Sequence, residues 1–129
     1  MPASIPEQTL DLFAEPALGH FSYTDARGRI VTFPMWVDFD GTHLFTSSPM
    51  GSKKGQALRQ RPQVGLSIVS TKNPWHSLSA SGHVVDIRPD DGLAFIDRMA
   101  HKYLGQAYER RTPREVFVIE LDRTRPSWA

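Results

Sequence analysis

Several residue types and patterns are missing from this sequence, and each absence excludes a class of protein. The 129 residues include no cysteine, which excludes disulfides, thiolate nucleophiles and cysteine-based metal or iron–sulfur centres. The 15 lysine and arginine residues face 14 acidic ones, a formal net charge of +1, so no nucleic acid or membrane partner is expected. Residues 1–21 carry neither a basic segment nor a long apolar run. We therefore expect no secretion signal or membrane anchor, and a cytoplasmic location.

Common catalytic motifs are also absent. The histidines show no HxH or HExxH spacing, so we expect no metal site. They are His20, His43, His76, His83 and His101. The serine-rich "SASG" lacks the GxSxG pattern of a hydrolase nucleophile. Gly51 and Gly55 merely flank Ser-Lys-Lys and do not form the GxxxxGK[ST] loop that binds nucleoside triphosphates.

The residues that are present predict a small antiparallel β-protein. Asp40-Gly41 separates two runs rich in aromatic and β-branched residues, which is a strong hairpin signal. Six strands are predicted, near 18–24, 29–39, 42–47, 63–70, 77–87 and 114–122. Helices are predicted at about 6–15, 52–61 and 89–104, where apolar residues recur at helical spacing or capping residues begin the segment. Residues 1–129 are expected to form a single mainly β (α+β) domain, a closed or partly closed barrel.

Pro34 lies inside the second predicted strand. Proline has no backbone N–H to donate to a neighbouring strand. The strand is therefore expected to be at a sheet edge, bulged or kinked at this position.

Two lysines begin the helix predicted at 52–61. Ser52 suits the N-cap, which puts Lys53 and Lys54 in the first turn, where the helix dipole disfavours positive charge by a few tenths of a kcal/mol. A bound phosphate or carboxylate would turn this repulsion into attraction. A solvated basic face is the alternative. Arg59 and Arg61 lie near the helix C-terminus, where cations are favourable, and need no ligand.

The order and spacing of several segments resemble a known family. They are "DARGRIVTFPMWVDFDGTHLFTSS", "SKKGQALRQRPQVGLSIV", "NPWHSLSASGHVVDI" and "IDRMAHKYLGQAY". Together they are similar to the flavin-binding split β-barrel family typified by pyridoxamine 5′-phosphate oxidase. The run from Ile96 to Tyr108 is most similar to the branch that uses the deazaflavin coenzyme F420. The resemblance implies a six-stranded, Greek-key-like split barrel with peripheral helices.

The resemblance also implies where a cofactor binds. In the family, the segment matching Pro34–Val37 lies along the cofactor ring, and those matching Phe45–Ser47 and Lys53-Lys54 take the phosphate side. The predicted cofactor-binding residues are Pro34, Met35, Trp36, Val37, Phe45, Thr46, Ser47, Ser52, Lys53, Lys54, Trp75, His76 and Ser77. From the residues alone, Trp36 and Trp75 suit a core or dimer contact equally well. His76 also suits a surface or structural role.

The function implied by the resemblance is redox chemistry. The chain is expected to bind F420 and to transfer a hydride to or from a small organic substrate, as a homodimer with the cofactor groove between the subunits. One alternative is an FMN-binding flavin reductase or pyridoxamine-phosphate-oxidase-like enzyme, and another is a protein that stores the cofactor without turnover. No catalytic residue is identified. Tyr103, Tyr108, His76 or solvent could supply a proton.

Overall fold

The computed structural model describes residues 2–127. Within them the strands are β1 (Gly19–Thr24), β2 (Ile30–Met35), β3 (Asp38–Phe39), β4 (Leu44–Pro49), β5 (Gln63–Val69), β6 (Ser77–Pro89) and β7 (Arg114–Ser127). The α-helices are α1 (Lys53–Gln60) and α2 (Ala94–Leu104), and 3₁₀ turns span Glu7–Phe13 and Asp91–Leu93. No helix in this part of the chain has the length and hydrophobicity needed to cross a membrane. The protein is mainly β, as expected.

The strands form one antiparallel sheet in the order β2-β1-β5-β6-β7-β4-β3. Among residues 2–127 the strands number seven, one more than predicted, and the sheet is not closed by a continuous ladder. The predicted strand at 29–39 is divided in two. Met35 pairs with β1, whereas Asp38 pairs with β4, so the chain leaves one ladder and enters the other at Trp36. Pro34 lies in edge strand β2, which confirms the expectation drawn from its missing N–H.

The core lies inside the curved sheet. In β5, Val64, Leu66 and Ile68 are buried and alternate with more exposed residues, the period of two typical of a half-buried strand. In β7, by contrast, consecutive residues from Glu115 to Ile119 are all buried. One face of β7 fills the core with Phe117 and Ile119, while Val116 on the other face packs under α2. This packing fixes α2 against the start of β7.

The helices begin at specific side-chain caps. The Ser52 hydroxyl accepts a hydrogen bond from the Gly55 N–H at 3.0 Å, so the cap predicted for α1 is confirmed. The helix predicted over 89–104 begins later, because Leu93 has a positive φ of 57° that breaks the helical path. The Asp90 carboxylate accepts from the N–H groups of Phe95 and Ile96 at 2.8 and 2.9 Å. The carboxylate thereby accepts hydrogen bonds from backbone N–H groups in the first turn of α2, which have no acceptor within the helix.

Candidate functional site

A cleft opens where β2, β4, α1, α2 and β7 approach one another. It encloses ≈ 330 Å³, near the lower end of the roughly 300–1,000 Å³ usual for small-molecule sites. We call it the Trp36 cleft. Its lining residues are Pro34, Met35, Trp36, Ser47, Ser48, Pro49, Lys54, Phe95, Ile96, Tyr108 and Arg114. It combines aromatic surface, hydroxyl groups and two cations, and contains no carboxylate side chain.

Trp36 is held by two contacts to its indole and one to its backbone. The Tyr103 ring stacks on it with centroids 5.3 Å apart and planes 8° from parallel. Tyr108 meets it edge-on at 5.9 Å. The Thr46 hydroxyl donates to the Trp36 carbonyl at 2.9 Å, which fixes the backbone of the same residue. The cleft therefore has a flat aromatic wall whose orientation is set by the protein itself.

Two side chains of α2 anchor the chain just after Trp36. The Tyr103 hydroxyl accepts from the Val37 N–H at 3.2 Å and donates to the Ala17 carbonyl at 2.7 Å. Lys102 donates to the carbonyls of Phe13 and Val37, both at 2.8 Å. Burial raises the pKa of Tyr103 and lowers that of Lys102. Both groups are thus engaged structurally, so Tyr103 is poorly placed to supply a proton to a ligand.

Lys54 reaches into the Trp36 cleft without an acidic partner. Its ammonium lies 2.8 Å from the sulfur of Met35 and 4.9 Å from the centre of the Phe33 ring. Within residues 2–127 no carboxylate lies at ion-pair distance from it. Burial, with a further contribution from the positive charge of Arg114, lowers the pKa of Lys54. An anion bound beside it would favour the charged ammonium and so oppose both effects on the pKa.

Arg114 is the second cation of the cleft, and the sequence analysis did not identify it. Its Nε donates to the Ser47 hydroxyl at 3.0 Å, and its guanidinium carbon lies 5.2 Å from the centre of the Tyr108 ring. Burial lowers the pKa of Arg114, although nearby Tyr108 and Asp90 act in the opposite direction. No described carboxylate forms an ion pair with it. Its two terminal nitrogens have no protein acceptor among these residues.

Arg59 of α1, by contrast, forms an ion pair within the protein. Its guanidinium donates two hydrogen bonds to the Glu115 carboxylate, at 2.8 and 2.9 Å. The Glu115 side chain is only 4% exposed. These hydrogen bonds raise the pKa of Arg59. Arg59 is thus satisfied within the protein, in agreement with the expectation that it needs no ligand.

Lys53 lies in a different depression from Lys54. The exposed Lys53 side chain lines a groove of ≈ 630 Å³ together with Tyr23, Asp25, Ala26, Arg27, Arg29, Val31, Gln56, Ala57, Gln60 and Arg61. We call it the Lys53 groove. Arg29 is paired with Asp25 at 2.9 Å, which leaves an excess of positive charge there. The two lysines, expected to act together, therefore line different depressions.

The predicted cofactor-binding residues fall into three groups. Those that line the Trp36 cleft are Pro34, Met35, Trp36, Ser47 and Lys54. Those that support it are Val37, Phe45 and Thr46, with Ser52 as the cap of α1. Those that lie elsewhere in this chain are Lys53, Trp75, His76 and Ser77.

Trp75 and His76 lie in the loop before β6, and Ser77 is the first residue of β6. Trp75 is 69% exposed. The His76 Nε2 lies 2.8 Å from a carboxylate oxygen of Asp11, so His76 ties this loop to the N-terminal 3₁₀ turn. Ser77 pairs with Val69 and Ser127 in the sheet. Within one chain these side chains do not reach the Trp36 cleft, and His76 is not a proton donor to it.

Comparisons with known proteins agree with this architecture. The sequence model of the family described as pyridoxamine 5′-phosphate oxidase matches residues 5–127, whereas no curated protein matches the chain. Among solved structures, an F420 reductase is 25% identical with a TM-score of 0.84, covering 94% of this chain and 98% of that one. A conserved hypothetical protein from Mycobacterium tuberculosis is 16% identical with a TM-score of 0.75, covering 98% and 86%. General stress protein 26 from Bacillus anthracis is also 16% identical, with a TM-score of 0.70 over 94% and 92%.

Proposed function

Because the chain belongs to the pyridoxamine 5′-phosphate oxidase family, we propose that it is an oxidoreductase that binds coenzyme F420. It would transfer a hydride to or from a small organic substrate. The observation that carries this proposal is a cleft with a fixed indole wall beside two half-buried cations that lack carboxylate partners. The similarity to an F420 reductase at 25% identity favours the deazaflavin over FMN.

The residues present fit a molecule with a flat ring at one end and a phosphate at the other. Met35 and Trp36 would hold the ring, since they supply apolar and aromatic surface at the end of β2. Lys53 would hold the phosphate, because its groove carries an excess of positive charge at the first turn of α1. Val31 of the groove and Met35 of the cleft are four residues apart on β2, about 13 Å at the usual rise of an extended strand. A single elongated ligand along β2 can therefore contact both sites.

When bound, the deazaflavin supplies the carbon that gives or accepts a hydride, a two-electron step. The protein contributes position, shielding and charge. Trp36 and Phe95 exclude water from one side of the cleft, while Ser47 and Ser48 offer hydroxyl groups. Of the proton donors considered from the sequence, Tyr108 is the one whose side chain lines the cleft. We propose Tyr108 or solvent for that role.

We further propose that the protein is a homodimer. Strand β2 is a sheet edge with exposed apolar residues, Ile30 at 78% and Phe33 at 43%. Such an edge tends to associate unless it is covered. A second copy would cover it, and Trp75 and Ser77 of that copy would complete the cofactor site from which they are remote in one chain. Light scattering after size exclusion should give the mass of a dimer, and a monomer at all concentrations would contradict the proposal.

The cofactor assignment is tested by titrating the purified protein separately with F420 and with FMN. Absorbance or fluorescence should report tight binding of the deazaflavin. Tight binding of FMN alone would contradict the choice of F420 and favour the flavin reductase alternative. Oxidation of the reduced deazaflavin in the presence of unsaturated organic acceptors distinguishes an enzyme from a storage protein, since mere storage predicts no turnover with any acceptor.

A further inference from the structure

The connection between α2 and β7 has few attachments to the rest of the protein. We call residues 105–113 the Tyr108 loop. Tyr108 is the one residue of this loop that is not exposed. Within the described part of the chain, every hydrogen bond made by residues 106–112 involves Asp97 or Arg111. The position of the loop therefore depends on one aromatic side chain and one ion pair.

The ion pair joins the middle of the Tyr108 loop to α2. Arg111 donates one hydrogen bond to each carboxylate oxygen of Asp97, at 2.7 and 3.0 Å, which is the paired geometry that guanidinium and carboxylate groups favour. The same carboxylate accepts from the Tyr108 N–H at 3.0 Å, and Arg111 donates to the Tyr108 carbonyl at 2.9 Å. Both backbone polar groups of Tyr108 are thus held by this pair.

The Tyr108 ring is part of the wall of the Trp36 cleft. It meets the Trp36 indole edge-on at 5.9 Å and lies 5.2 Å from the guanidinium carbon of Arg114. Neither Asp97 nor Arg111 lines the cleft itself. Their connection to the cleft therefore runs through Tyr108.

We infer that Asp97 and Arg111 are positioning residues, whose ion pair holds the Tyr108 ring in the wall of the cleft and so preorganises the site for its cofactor. This inference rests on the proposed function, because it assigns two further residues to the same site. A wall that is already ordered lowers the entropy cost of binding a ligand against it. Without the pair, the exposed loop would have to become ordered when the cofactor binds.

Fluorescence titration with F420 tests this inference on the wild type, Asp97→Asn, Tyr108→Ala and the variant that carries both changes. Tyr108→Ala should weaken F420 binding about two- to tenfold, the effect of losing one aromatic contact. Asp97→Asn should weaken binding by up to the same factor, and it should have no further effect once the Tyr108 ring has been removed. Asp122→Asn changes a carboxylate that is paired with His83 away from the cleft. It is the matched control and should bind F420 as the wild type does.

Two results of these titrations would overturn the inference. One is a further loss of F420 affinity when Asp97→Asn is added to Tyr108→Ala, because a general structural role predicts additive losses. The other is unchanged F420 affinity in Asp97→Asn. Arg111→Gln breaks the same pair from its other side and takes the place of Asp97→Asn if that variant fails to fold.

Quenching of tryptophan fluorescence by acrylamide tests the position of the Tyr108 ring without a cofactor. Asp97→Asn should increase the quenching, since a displaced Tyr108 ring uncovers an edge of the Trp36 indole, and a Trp36→Phe background should remove the increase. If the wild type binds no F420, the proposed function fails, and this measurement decides the inference by itself. An increase that depends on Trp36 supports it, and unchanged quenching overturns it.

Discussion

Lys54→Met should leave the cofactor-free protein equally stable or make it more stable, whereas Arg59→Met on the same helix should destabilise it. The ammonium of Lys54 opposes the dipole of α1, at a cost of about 0.3–1 kcal/mol. It is also partly desolvated beside Arg114. The favourable contact with Phe33 recovers about 0.5–1 kcal/mol. These two figures nearly cancel. Methionine also removes the desolvation of the ammonium while it keeps the length and the apolar contacts, so the net change should be a gain of about 0–1 kcal/mol.

Arg59→Met gives the opposite sign because it leaves the buried Glu115 carboxylate unpaired. Breaking a buried ion pair from one side costs about 3–5 kcal/mol. We take the lower figure, because the Arg59 side chain is 49% exposed and water screens the pair. A loss of about 3 kcal/mol lowers the melting temperature of a chain this long by about 10 °C, against a rise of at most about 3 °C for Lys54→Met.

Thermal and urea unfolding of the cofactor-free protein, followed by circular dichroism, measures both variants. The measurements should be made at low salt, because ions screen the interaction between the Lys54 charge and the helix dipole. A loss of more than about 1 kcal/mol in Lys54→Met, larger than a typical surface substitution gives, would refute the reasoning. It would mean that the Lys54 ammonium stabilises the folded protein even when no ligand is bound.

Three further substitutions test other parts of the site. Lys53→Ala should weaken F420 binding about fivefold, the loss of about 1 kcal/mol from one exposed phosphate contact; fluorescence titration measures it, with Lys72→Ala as control. Tyr103→Phe removes a hydroxyl that joins two backbone segments and should lower the free energy of unfolding by about 1–2 kcal/mol, and an unchanged urea midpoint would contradict this. The hydrogen bond from Arg111 lowers the pKa of Asp97, so its stabilising effect is present above the unfolded-state value and is lost as pH falls below that value into the acidic range. Asp97→Asn should therefore show a smaller acid-induced loss of urea stability than the wild type over that range.

Much of the fold follows from short-range patterns in the sequence. The Asp40-Gly41 hairpin, the Ser52 cap and the alternation in β5 are local, and the structure agrees with each. The division of the 29–39 strand is not local. It depends on Met35 finding one partner strand while Asp38 finds another, and no property of the segment alone specifies two partners.

The candidate site was predictable only where the chain itself brings residues together. Met35 and Trp36 are consecutive and share the cleft. Arg114 enters it from the start of β7 and reaches Ser47 in β4, 67 positions away. A single arginine at the first position of a predicted strand has nothing in its neighbourhood to distinguish it from a surface residue. Identifying it requires the β4–β7 pairing.

The separation of Lys53 from Lys54 does have a local cause. Consecutive residues of an α-helix project about 100° apart, and only residues three or four apart share a face. Two lysines in the first turn of α1 therefore contact a single ligand only at different points along its length. In this fold β2 lines both depressions, the Lys53 groove at Val31 and the Trp36 cleft at Pro34 and Met35. A double substitution would merge the effects of two positions, so the single variants are needed: Lys53→Ala reports on the Lys53 groove, and Lys54→Met reports on the Trp36 cleft.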